Sequence, residues 1–315
     1  MRIVSRTFFS TCLLALLGQA ASCLAADDGT VESDKPLKSL DEIAIDLSHP
    51  ASSLLHIRND FEFRSYQGNL PDAGDQSAWR YVLQPVWPIK LSNGNNITFR
   101  ARIPINADQP IYLADGAQFA QWQVRKFADT VSRDGRFKAG HDHLDDISLD
   151  MAYGGVSDSG LIGQFGITAV LPTSQDFSAA REQFLLGPQV ALGKQADWGV
   201  IGAWATHLVD IADDDTKEYP LSTKLTSVKL FFAYGLGNGW QIISNPRIDY
   251  DWDAASSNKL AIPLGGGVSK TTTLGRMPLK MDMELYYYIE SPEALGPEWM
   301  LTFNLAPVLS NWRSK

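Results

Sequence analysis

The chain has almost no cysteine, and its two, Cys12 and Cys23, both fall within the first 25 residues. That opening has a basic start at Arg2 and Arg6, an apolar middle over residues 8–17 and a small-residue cleavage site at Cys23-Leu24-Ala25. Residues 1–25 therefore read as a signal peptide. A lipoprotein signal is the competing reading, with Ala20-Ala21-Ser22 before Cys23, but alanine is a poor first residue for that motif. Cleavage after Ala25 leaves no cysteine, which excludes disulfide and thiolate chemistry even in an oxidising periplasm. Positive charge is also short. The formal net charge is −9, and losing two of the 27 basic residues with the signal takes it to −11 against 36 acidic ones. A chain this acidic is a poor nucleic-acid binder. Long apolar runs are missing as well. Nothing after residue 25 approaches the roughly 18 consecutive apolar residues of a membrane helix, so a helical inner-membrane protein is excluded. The mean hydropathy of −0.13 looks soluble, yet alternating strands average to such values and a barrel stays open.

What is present is alternation. In residues 79–91 the odd positions Trp79, Tyr81, Leu83, Pro85, Trp87, Ile89 and Leu91 are all apolar or aromatic, while Arg80, Gln84 and Lys90 fall between them. Side chains of a strand point alternately to its two faces, so one face is greasy and the other wet. About ten tilted residues cross the hydrocarbon of an outer membrane. The segment reads as a barrel stave between lipid and a polar lumen. Similar segments recur at residues 55–64, 97–105, 147–153, 161–171, 186–192, 198–208, 228–236, 240–252, 260–268, 279–289 and 299–305. On the seventh, Trp198, Val200, Trp204 and Leu208 form the apolar face and His207 is assigned to the lumen.

Twelve staves is an even number, and the connections alternate in length. Those after even-numbered staves run about four to seven residues, among them Asn93-Gly94, and those after odd-numbered ones run about six to nearly forty. Short periplasmic turns and longer outer loops predict a transmembrane, antiparallel, up-and-down β-barrel of about 12 strands, all-β in class, in the outer membrane. Trp79, Trp252 and Trp299 are then expected at the outer rim, with Trp198 and Trp240 at the inner one. The domain plan is a signal peptide over residues 1–25, a polar and partly disordered periplasmic lead-in over 26–52, the barrel over 53–309 and a tail over 310–315. Residues 106–144 fit either a short helix carrying Phe119, Trp122 and Phe127 or an extended hairpin.

Several segments carry a resemblance. They are Leu83-Gln84-Pro85-Val86-Trp87-Pro88, Arg102-Ile103-Pro104-Ile105, Ala169-Val170-Leu171-Pro172-Thr173 and Leu186-Gly187-Pro188, followed by His207, Tyr250-Asp251-Trp252, Ile262-Pro263-Leu264 with Gly267-Val268, and Gly296-Pro297-Glu298-Trp299. In order and spacing they resemble the family of Gram-negative outer-membrane transporters named for the meta-pathway (MetA-pathway) of phenol degradation. The resemblance implies a barrel that passes small, often hydrophobic or aromatic compounds, and it supplies no catalytic residues. Two departures stand out: a long segment before Asp146-Ile147, and an ending at Ser310-Asn311-Trp312-Arg313-Ser314-Lys315 beyond Pro307 instead of on an aromatic strand.

The candidate pore-lining residues follow from the polar face. Arg58, Asp60, Glu62, Arg64, Arg80, Lys90, Arg100 and Arg102 come from the first three staves, and Arg247, Asp249, Asp251, Lys280, Asp282 and Glu284 from the ninth and eleventh. Ring closure brings these groups into one narrow lumen. They predict either a field that sorts permeants, basic on one arc and acidic on the other, or an interior filled by paired charges. His141-Asp142-His143 with Asp145 and Asp146 could hold a divalent ion, but a solvated polar stretch is the simpler account. Asp213-Asp214-Asp215 lacks the spacing of a calcium loop, and Gly265-Gly266-Gly267-Val268-Ser269-Lys270-Thr271 puts Ser269 where a phosphate loop needs glycine. No metal or other cofactor is expected. Twelve-stranded outer-membrane phospholipases use a His-x-Ser pair, and none of His49, His56, His141, His143 or His207 has serine two residues on. The expectation is a non-enzymatic channel for passive movement of small solutes, with a closed structural or adhesive barrel and an outer-membrane lipid hydrolase as alternatives. Its expected partners are outer-membrane lipid and lipopolysaccharide, a small-molecule permeant and the barrel-assembly machinery, with no nucleic acid.

Overall fold

A computed structural model of the chain describes residues 38–140, 142–174, 183–211 and 222–309. The elements run α1 (Leu40–Asp46), β1 (His56–Gln67), β2 (Ser77–Lys90), β3 (Asn96–Ala107), β4 (Pro110–Ala114), β5 (Ala117–Phe119), α2 (Gln121–Phe127), β6 (Arg136–Ala139), β7 (His143–Leu144), β8 (Ile147–Val156) and β9 (Leu161–Leu171). They continue with β10 (Leu185–Ala196), β11 (Gly199–Asp210), β12 (Lys224–Gly237), β13 (Trp240–Ser244), β14 (Arg247–Asp251), β15 (Leu260–Leu274), β16 (Met277–Glu290) and β17 (Gly296–Pro307). Twelve staves close into one antiparallel barrel, with β13 and β14 sharing a single stave. The seam lies between β1 and β17, where Phe61 faces Phe303. Each stave therefore finds partners on both sides, and no edge is left for the lipid to solvate.

The outer surface is the greasy face that alternation predicts. Trp87, Phe99, Phe165, Leu192, Leu264 and Met283 are all exposed on it. The five short turns lie at one end, between β2 and β3, β8 and β9, β10 and β11, β12 and β13, and β15 and β16. This is the inner end, and the longer connections occupy the outer one. Phe63 packs on Trp79, Tyr250 on Trp252 and Tyr287 on Trp299 near the outer rim, while Trp198 stacks with Tyr234 near the inner rim. The glycines of β15 admit close neighbours, since a Cβ on Gly267 would stand 1.8 Å from the Met283 carbonyl oxygen.

The stave β11 faces the other way from the sequence expectation. Leu192 faces outward and pairs with Ala203, whereas buried Ala191 pairs with Trp204. Val200 and Trp204 accordingly point inward, and Ile201, Ala203, Ala205 and His207 point outward. The cause is a small apolar cluster inside the barrel near its inner end, built from Ile162, Val200, Phe231, Ala233 and Ile243 with Ala51. Where the interior is itself apolar, polarity no longer tells the two faces apart.

Ala51 belongs to a second departure. Residues 38–52 were expected within a polar, partly disordered lead-in, but they form α1 and an ordered turn. Ser39 and Glu42 close a reciprocal capping box at the helix start. Ile43 and Leu47 then pack against Val308 and Leu54, while Ile45 joins the cluster around Phe231. Residues 106–144 resolve into both forms that were left open. β4 pairs with β5 and β6, α2 follows β5, and the unit packs Tyr112 and Val124 onto Tyr66, Leu70, Ala294 and Leu295 at the outer end.

Candidate functional site: the lumen

The inward positions of β1, β2, β3, β14 and β16 carry the fourteen residues singled out as pore-lining, with Lys90 exposed at the inner end of β2. Most find their counter-charge on the same or an adjacent stave. Arg58 reaches Asp60 at 3.0 Å and Arg64 reaches Glu62 at 2.8 Å, both within β1. Within β14, Arg247 donates twice to Oδ2 of Asp249, from Nε at 3.0 Å and from Nη2 at 2.8 Å. On β16, Lys280 lies 4.0 Å from Asp282. Arg102 shares Glu62 at 3.6 Å. Asp251 is fully buried towards the outer end and accepts a hydrogen bond from the Asp253 backbone at 3.2 Å. Glu284 turns to the wall, accepting from Asn245 N at 3.1 Å, Asn245 Nδ2 at 3.0 Å and Tyr286 Oη at 2.5 Å.

Two further cations, Arg80 and Arg100, find carboxylates outside the pore-lining candidates. Arg80 meets Asp145 at 3.3 Å and donates to Asn106 at 2.7 Å. Arg100 stands 3.6 Å from Asp150, and Trp204 presents its ring 4.4 Å from the guanidinium carbon. Asp150 was legible as the inward position between Leu149 and Met151, and Lys229 as that between Val228 and Leu230. Acids thus stand among the basic groups of β1–β3, and the charge alternates locally within each arc.

The inner end of this lumen is filled by residues 38–54. Arg100 Nη2 donates to the Pro50 carbonyl at 2.8 Å, His49 meets Gln195 at 3.2 Å, and Ser48 donates to Gln241 at 3.2 Å. Lys280 Nζ donates to Ser48 Oγ at 2.5 Å and to the Ala44 carbonyl at 3.3 Å. Gly239, held at φ +76 in the β12–β13 turn, donates its N–H to Asp41 at 2.6 Å. These contacts come from β3, β10, β13 and β16, staves spread around the ring, so the segment lies across the opening. Burial pushes the His49 imidazole below its ordinary value, outweighing Asp46 at 3.9 Å and the Gln195 contact. Exposure records the resulting division. The side chains of Arg100 and Lys280 are 3% and 4% exposed, whereas those of Arg102 and Arg247 are 33% and 43% exposed although they point into the barrel. Mid-height is wet, and the inner end is dry.

The wall is interrupted near mid-height where β13 gives way to β14. β13 pairs with β15 as far as Ile243 with Gly267, and β14 resumes only at Asp249 with Ala261. In between, Asn245 sends its N–H to the lumen carboxylate of Glu284, and Pro246 has none to give.

The other sequence candidates contribute less. His143 Nε2 lies 3.3 Å from Asn106 Nδ2, while His141 and Asp213-Asp214-Asp215 lie outside the described residues, as do residues 1–37 and 310–315. No group of three or more metal-ligating side chains occurs among the described residues. His207 Nδ1 meets Thr226 Oγ1 at 2.8 Å on the lipid-facing surface, not in the lumen, and Trp252 Nε1 donates to the same hydroxyl at 2.9 Å.

No family model and no curated protein matches the chain. Solved structures do. The COG4313 outer membrane channel from Pseudomonas putida F1 aligns with a TM-score of 0.54 at 10% identity, covering 90% of this chain and 100% of that one. The NanC porin gives 0.45 at 10% identity over 81% and 99%. Outer membrane phospholipase A from Escherichia coli gives 0.40 at 10% over 85% and 96%. The first likeness shows a shared fold, and the other two are too loose to add to it. A closed barrel with this apolar belt is a protein of the outer membrane.

Proposed function

We propose that this barrel is a channel for the passive movement of small solutes across the outer membrane, without a catalytic step. The observation that carries the reading is the wet middle of the lumen: Arg102 and Arg247 point inward inside a closed wall and still meet water. An interior kept hydrated at the cost of burying apolar groups is what a permeation path requires, and paired charges set what enters it. The resemblance of residues 83–88, 102–105 and 296–299 to the phenol-degradation transporters supports small aromatic or hydrophobic compounds among the permeants. A closed structural or adhesive barrel is the second reading, and the segment lying across the inner end favours it. Swelling of liposomes carrying the purified chain separates the two. A channel lets phenol, benzoate and short organic acids equilibrate faster than protein-free vesicles do, and a closed barrel leaves the rates equal.

A further inference from the structure

The charges at mid-lumen do not cancel one another evenly. Glu62 serves two guanidiniums, with Oε2 taken by Arg64 at 2.8 Å and Oε1 left 3.6 Å from Arg102. Lys229 of β12 stands in register with Arg247 of β14, on the inward face that it shares with Phe231 and Ala233. Among the described residues, no carboxylate comes within ion-pair distance of its ammonium, and no hydrogen bond reaches it. The charges that act on it most strongly include Arg58, Asp60, Glu284 and Arg102. Both acids in that set are engaged elsewhere. Asp60 is held by Arg58 and by Asn304 at 2.6 Å, and Glu284 by Asn245 and Tyr286.

Among the described residues Lys229 thus lacks a counter-ion and Arg102 has only part of one, on staves from different arcs of the ring, in the part of the lumen that water reaches. A cation enclosed by protein yet open to water is completed by a mobile anion. We propose that Lys229 and Arg102 form an anion station at mid-lumen, and that small organic carboxylates are the permeants it selects. Benzoate represents the class, since it joins a carboxylate to an apolar ring. The inference rests on the channel reading for transport but not for binding, because the station lies in the resting barrel.

Two measurements on the full chain test it. In planar bilayers under a potassium chloride gradient, the reversal potential is expected to show chloride preferred over potassium. Lys229→Gln and Arg102→Gln are each expected to lower that preference at least about twofold, and the double variant to abolish it. In detergent, calorimetric titration with benzoate is expected to show binding that Lys229→Gln weakens about tenfold and Lys229→Arg retains. Cation preference in the unmodified chain overturns the station, as does benzoate affinity equal in Lys229→Gln and the unmodified chain. A barrel that passes no current but binds benzoate through Lys229 retains the station and loses the channel.

Discussion

The inner end of the lumen and its middle use the same kinds of residue to opposite effect. Arg100 and Lys280 near the inner end are dry; their carboxylates stand off, Asp150 at 3.6 Å and Asp282 at 4.0 Å, and they donate to the Pro50 and Ala44 carbonyls, to Gln164 of β9 and to Ser48 of the inserted segment. Arg102 and Arg247, on the same staves or nearby ones, are wet and answered by carboxylates alone. Neutral acceptors at 2.5 to 3.3 Å add to those more distant carboxylates in the first setting, because a dry cation has little water to complete its hydrogen bonds. Water at mid-height relaxes that demand, so an incompletely paired charge such as Lys229 is tolerable there. One polypeptide segment, residues 38–54, makes the difference between the two regions.

Deleting residues 38–52 from the mature chain removes the segment that keeps the inner end dry. Single-channel conductance is expected to rise severalfold, and an unchanged conductance would move the constriction elsewhere. Next in size is Phe231→Ala, which empties the apolar cluster that holds Ile45 and Ala51. It is expected to cost about 3 kcal/mol in denaturant titrations and to speed hydrogen exchange in α1. A smaller effect comes from pH. His49 has a depressed proton affinity when docked, so its contribution to docking is present above the ordinary imidazole value of 6.5 and is lost as pH falls below it. Exchange in α1 is expected to quicken between about pH 6.5 and 5, and His49→Gln to flatten that dependence. The smallest belongs to the wet region. Arg247→Gln removes a doubly hydrogen-bonded but well-hydrated pair and is expected to change stability by less than about 1 kcal/mol in the same titrations.

Much of this architecture is legible in the residues alone. The odd-numbered aromatic and aliphatic positions of residues 79–91 report the lipid face, and the Asn-Gly turn and its short counterparts report the inner end. Alternation works there because lipid and lumen differ in polarity. It misleads on β11, where Val200 and Trp204 face an apolar interior and His207 faces lipid. The inserted segment was also hidden. Ile43, Ile45, Leu47 and Ala51 are too few and too irregularly spaced to show a period, and their partners are scattered over the whole chain. Residues 106–144 hold strands of two to five residues and a seven-residue helix, below the length at which periodicity speaks. Within the site, the sequence located the charged positions, but pairing between staves, such as Arg100 with Asp150, appears only once the register is known.

The β1–β17 seam has a consequence for how the molecule comes into being. The first stave obtains its second neighbour only when the last one exists, so Phe61 waits some 240 residues of synthesis for Phe303. Until that moment any partial sheet presents two raw margins, ready to zip onto whatever strand they meet. The cylinder can therefore close only after the last stave has been made.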